Sequence, residues 1–273
     1  MKISEKQFMI QRKLFSELYG DFPDLITLKI YIYLCRNFNY RVNKVITAKT
    51  TIQSDLYVTP RELDNSLDWL ELNHFIRRTN NNKHQMYQAK ILVAPDYDAQ
   101  NQRFYSNEHL RYNQACLKSN LLGYIMLPNS LFTNGMLSNT KTANKKWTSN
   151  KLKVLMMLYA HFWFEYFGGI NPDIVRVNAN GQVDSVDPSF YYSLKMSEAE
   201  VIASINSMIK TKLFNVVVEC YEQYFDQLVF IGDQANLPHS QEYTYKSILR
   251  PKYITAKQKE RLYNSNKESA VSL

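Results

Sequence analysis

The chain has 273 residues, 45% apolar and 21% charged, with a formal net charge of +8 and a pI near 9.2. This composition excludes a disordered or fibrous chain, and the length suffices for two domains of ~100–200 residues each. No apolar run approaches the ~20 residues of a membrane span, and the opening MKISEKQFMIQRK has no signal-peptide core, so a cytoplasmic protein with no membrane partner is expected.

The basic balance points to phosphate-rich partners or anionic membranes. No acidic residue lies between Glu108 and Glu165, whereas Arg111, Lys118, Lys141, Lys145, Lys146, Lys151 and Lys153 all fall there, either as a solvated loop or as an anion-facing surface. The three cysteines, Cys35, Cys116 and Cys220, are far apart and odd in number. They suit a reducing compartment and read as buried small hydrophobes.

In chain order, SEKQFMIQRKLFSELYG reads as an N-terminal helix, with Ser4 and Gln7 as cap partners and Gly20 as stop. Residues 24–40, DLITLKIYIYLCRNFNY, are apolar on several faces and predict a buried helix, and 50–57 a short one. In TPRELDNSLDWLELNHFIRR (59–78), Thr59 and Glu62 form a capping box, Pro60 takes the first helical position, and Leu63, Leu67 and Leu70 mark one face. After Asn73 the chain reads as two strands around a polar turn at Asn80–Lys83.

The same order recurs. LKVLMMLYAHFWF (152–164) echoes LKIYIYLCRNFNY (28–40) at an offset of 124, and SEAEVIASINSMIKTKLF (197–214) echoes TPRELDNSLDWLELNHFI (59–76) at an offset of 138. The cap pair returns as Ser197 and Glu200, and the apolar face as Val201, Ile205 and Met208. The difference between offsets is accounted for by an inserted hairpin near 170–187, turning at Asn180-Gly181. These elements predict an α+β, mainly helical chain of two tandem winged helix-turn-helix domains. The first, with its N-terminal helix, covers 1–93, a polar linker 94–120, and the second, opened by GYIMLPNSLF, 121–250; a basic, loosely held tail covers 251–273.

Catalytic signatures are scarce. There is no GxxxxGK[ST] loop, and His74, His84, His109, His161 and His239 are isolated, with no ligand spacing for a metal. No cofactor, metal or enzymatic activity is expected, and His161 reads as a core residue.

The outward stripe of the first capped helix is Arg61, Asp64, Asn65 and Asp68. Arg61 and Asn65 suit base edges, the acids do not suit phosphates, and Arg77, Arg78, Lys83 and His84 on the wing carry the positive charge. The second stripe is Ala199, Ile202, Ala203 and Asn206, followed by Ser207, Lys210 and Lys212. Ala199, Ile202 and Ala203 read either as contacts to thymine methyls or as a face for a protein partner or a homodimer. Asn206, Ser207, Lys210 and Lys212, with Lys145 and Lys146, complete the candidate set for double-stranded DNA.

Two [ST]xxE-capped helices in a basic chain without a catalytic motif resemble those of plasmid or phage replication initiator proteins. YIMLPNSLF followed by SNKLKVLMMLYAHF is similar to the opening of initiators from Gram-positive plasmids. The resemblance implies two domains gripping successive parts of repeated origin sites, with host replication proteins as partners. A transcriptional regulator would use the same parts, and a protein-binding adaptor of the replisome, helicase-loader-like, would use the acidic and apolar stripes instead.

Overall fold

The computed structural model describes residues 2–4, 6–11, 14, 22–39, 41–79, 86–92, 96–98, 100–101, 103–105, 124–133, 137, 147–163, 169–224, 227–236, 242–256 and 258–260. The chain divides into two compact units, one of residues 6–149 and one combining 1–5 with 150–273. Strand β1 (Lys2–Ser4) belongs to the latter; β2 (Gln7–Gln11) opens the former.

Helix α1 (Leu25–Arg36) starts at Asp24, whose carboxylate accepts from the Thr27 amide at 2.6 Å. It is apolar almost all round and is buried from Thr27 to Cys35. Strands β3 (Phe38–Asn39) and β4 (Lys44–Ala48) follow, then α2 (Lys49–Leu56) and α3 (Pro60–Leu72). The Thr59 box is formed: the Thr59 N–H donates to Glu62 Oε2 at 2.7 Å, and the Glu62 N–H donates to Thr59 Oγ1 at 3.2 Å. Leu63, Leu67 and Leu70 are fully buried. Strands β5 (Ile76–Arg78) and β6 (Met86–Ile91) complete an antiparallel sheet in the order β3-β4-β6-β5. Its core gathers Phe22, Tyr31, Trp69 and Phe75, with the Phe22 and Phe75 rings 5.0 Å apart. A small hairpin of β7 (Asp96–Asp98) and β8 (Arg103–Tyr105) follows, and β9 (Tyr124–Pro128) pairs antiparallel with β2.

The other unit begins with the buried helix α4 (Ser149–Ala160), then short strands β10 (Phe162–Trp163) and β11 (Gly169–Ile170). Strands β12 (Val175–Val177) and β13 (Val183–Val186) pair around Gly181, whose φ of +74° is the left-handed value such a turn requires. Helix α5 (Pro188–Ser193) leads to α6 (Glu198–Lys210), capped reciprocally by Ser197 and Glu200. Strands β14 (Phe214–Tyr224), β15 (Gln227–Asp233) and β16 (Tyr243–Pro251) join β10 and β11 in the order β10-β11-β16-β14-β15, and β17 (Tyr253–Thr255) runs parallel to β1.

The repeat is visible in the backbone. Tyr57 (φ 52°) and His74 (φ 60°), at the ends of α2 and α3, match Lys195 (φ 53°) and Lys212 (φ 56°) at the ends of α5 and α6. Both pairs lie 138 apart (195 − 57 and 212 − 74). Phe38 opposite Val45 becomes Phe162 opposite Ile170. Ile76 opposite Ile91 becomes Phe214 opposite Pro251, so the last strand carries an offset of 160 (251 − 91). The added length lies in the extension of β14 and in β15.

Several expectations are corrected. The chain is not a mainly helical pair of tandem winged helix-turn-helix domains: strand and helix contribute about equally, across several sheets that include a half-barrel. The longest strands, β14, β15 and β16, pair antiparallel over most of their length. Residues 7–11 are strand rather than helix, because Phe8 and Ile10 alternate into the core and pair with 124–128. Residues 96–98 and 103–105, within the polar stretch 94–120, form a hairpin. Residues 251–256 and 258 are not a loose tail: Ile254, Thr255 and Gln258 are buried, and Thr255 and Gln258 cap each other at 2.8 and 3.0 Å.

Candidate nucleic-acid interface

The capping box fixes where α3 begins, and so which residues its exposed start presents. Arg61 and Asn65, one turn apart, are both exposed. Of the acids between and beyond them, Glu62 is held by the Thr59 cap and Asp64, Asp68 and Glu71 are matched by cations. Lys49, at the start of α2, reaches Asp64 at 2.6 Å. Arg78 reaches Asp68 at 2.8 Å and pairs with Glu71 through its Nε, and its backbone N–H donates to Glu71 Oε1 at 2.9 Å. Partial burial works against the Arg78 charge, but the bonds to Glu71 and Asp68 outweigh it and raise its pKa. Arg78 therefore faces α3, while Arg77, the next residue out of register, is exposed opposite Lys90. Beside this cluster lies a shallow groove of about 600 Å³ lined by Asn65, Asp68, Trp69, Glu71, Leu72 and Arg78, over which Leu72 is 78% exposed.

Helix α6 is arranged differently. Asn206 accepts the Val183 N–H at 3.0 Å and donates to the Val183 carbonyl at 3.4 Å. Glu198 accepts the Val186 N–H at 3.0 Å. Residues 198, 202 and 206 share one side of the helix, so β13 of the inserted hairpin lies along that side, and Ile202 and Asn206 are half-buried. Ala199 and Ala203 remain exposed, as do Lys210 and Lys212. Ser207 accepts from the Lys151 ammonium at 2.9 Å, and Lys151 and Lys153 are buried on α4 rather than displayed as surface charge. Lys83, His84, Lys145 and Lys146 lie outside the described residues.

Sequence patterning missed two groups. Lys49 was hidden as an Asp64 partner because the two lie 15 residues apart on different helices. Lys44 and Lys90 were legible only once the strand alternation placed both outward. Among the described residues no group of three or more His, Cys, Asp or Glu could hold a metal, and no helix is long and apolar enough to cross a membrane. His161, half-buried just after α4, lies against the Phe190 ring, 5.5 Å between centroids. No family model, curated protein or solved structure matches the chain.

Proposed function

We propose that the protein is a sequence-specific duplex DNA-binding protein that initiates replication at repeated origin sites in the cytoplasm, and that it works by binding rather than by catalysis. One observation carries the reading: Asp64, Asp68 and Glu71 of α3 are paired with Lys49 and Arg78, and Glu62 is turned back to the Thr59 cap, while Arg61 and Asn65 are exposed at the helix start. Guanidinium on guanine and amide on adenine are the pairings those side chains make in a major groove. The α6 stripe is partly covered by β13, so the first capped helix is assigned the reading role. The replication role and the host replication proteins as partners rest on the resemblance of the capped helices and of YIMLPNSLF.

The test is selection of bound duplex from a random pool, followed by Arg61→Ala/Asn65→Ala. The double variant is expected to lose roughly 10- to 100-fold in preference for the selected site per lost bidentate contact, about 1–3 kcal/mol each. Equal binding of selected and random duplex at every salt concentration by the unaltered protein ends this reading. A second reading, a protein-binding adaptor, is favoured by Leu72, an apolar side chain 78% exposed that lines the same groove as Trp69. A Leu72→Glu variant that keeps DNA binding but loses replication in the host would assign the groove to a protein partner.

A further inference from the structure

The sheet β3-β4-β6-β5 packs Val45, Tyr87, Ala89, Ile76 and Ile91 inward, which sends the alternate residues out. Asn39 lies opposite Lys44, and Arg77 opposite Lys90. The register Val45 to Ala89 also places Lys44 opposite Lys90. Asn39, Lys44, Lys90 and Arg77 therefore form one row across four strands, with three cations spanning about 10 Å at ~4.8 Å per strand. The remaining outward positions are Ile46, Ala48, Met86 and Gln88, so none of the outward residues on these strands is acidic. Lys90 and Arg77 are exposed, and the Lys44 ammonium is steered to Gln88 Oε1 at 2.7 Å. Arg41 is exposed in the turn leading into β4. Like charges directly opposite one another destabilise a sheet, and an anion lying across the row reverses the sign of that cost.

The repeat supplies an internal comparison. Arg77 corresponds to Asn215, at an offset of 138, and Lys90 to Arg250, at 160; Asn215 and Arg250 are again directly opposite. There, however, the cation is 7% exposed and neutralised, with Arg250 donating to Glu219 at 2.6 Å and to Asp233 at 2.8 Å. Both carboxylates lie in the added length of β14 and β15, which has no counterpart in the first sheet. One sheet carries acids that close its cation, and in the other Arg77 and Lys90 are exposed and Lys44 is half-buried.

We infer that the outward face of the β3-β4-β6-β5 sheet is a second nucleic-acid surface, on which Lys44, Lys90 and Arg77 track a phosphodiester backbone without reading its sequence. The inference rests on the DNA-binding reading above but uses a different face of the unit. A linear row of cations suits a run of two or three phosphates in one strand, and the absence of aromatic side chains among the outward residues gives it no base to stack and no sequence to prefer.

The experiment measures affinity of the full chain for a random-sequence duplex, and for one of its single strands, across a salt series. The Lys44→Gln/Arg77→Gln/Lys90→Gln variant is expected to lower the slope of log K against log salt by about 2–3 on duplex and about 2 on single strand, from ~0.9 and ~0.7 per phosphate. Lys44→Arg/Lys90→Arg, which keeps the charge, is expected to bind as the unaltered protein does. Circular dichroism of the triple variant verifies its fold. An unchanged slope in a folded triple variant overturns the inference, as does unaltered protein that binds phosphatidylserine vesicles but no random duplex. The Arg61→Ala/Asn65→Ala variant separates the two proposals. If it alone loses site preference while the triple variant keeps its slope, the sheet inference fails and the α3 reading stands; the converse pattern fails the α3 reading alone.

Discussion

Arg78 shows how a single side chain can be misplaced by sequence alone. Its neighbour Arg77 has the same charge and lies on the same strand, yet alternation sends one to α3 and the other outward. Removing Arg78 leaves Asp68 and Glu71 facing each other without a cation, so Arg78→Ala is expected to cost about 1–2 kcal/mol in urea unfolding. It is also expected to weaken duplex binding by exposing two acids beside Asn65. Lys29, 1% exposed on α1, offers a second test, because burial pushes its pKa down to about 8 from 10.5. The folded protein releases this proton before the unfolded chain does, so below about 8 both states hold it and the burial penalty is full. Stability then rises with pH through the window from about 8 to 10.5. Relative to the native chain, Lys29→Met is expected to be more stable at pH 7 and to lose this rise, of roughly 3 kcal/mol at most; unfolding midpoints measured at each pH check it. Lys153, at the equivalent position of α4, is buried as well.

At the scale of elements, what was legible was local. The two capping boxes depend on residues three apart, and both stand as read from the sequence. Thr59→Ala and Ser197→Ala are each expected to cost about 1 kcal/mol of stability. The turn at Asn180-Gly181 was equally readable, since its signal sits in two residues. What the hairpin does was not readable, because that depends on Asn206, 23 residues from the Val183 backbone it holds. Asn206→Ala is expected to release β13 from α6, seen as faster hydrogen exchange at the Val183 amide with little change at Leu34 in the other unit. The N-terminal stretch failed for the same reason in stronger form. SEKQ satisfies a helix-cap pattern, but Phe8 and Ile10 are claimed by a strand more than a hundred residues away, and no local window contains that partner.

At the scale of the molecule, the recurrence of cap, apolar face and left-handed helix ends shows that one plan was used twice. Its two sheets then diverged, one closing its cation with added acids and the other leaving a basic row. The units are not divided at a single point of the chain: β1 belongs to the later unit, and β9 pairs with β2 inside the earlier one. Deleting residues 1–5 is therefore expected to lower hydrogen-exchange protection at Tyr253–Thr255 while leaving α1 and α3 protected, and a cut near residue 120 would leave both fragments short of a strand. The parallel pairing of Lys2–Ser4 with Tyr253–Thr255 has a consequence for synthesis. The early strand leaves the ribosome about 250 residues before its partner exists, a wait of ~12–50 s at ~5–20 residues per second. Throughout that interval its backbone donors and acceptors are open to other strands, so the second unit is completed only after Thr255 has been synthesised, and slowing the ribosome lengthens the time in which β1 can pair wrongly.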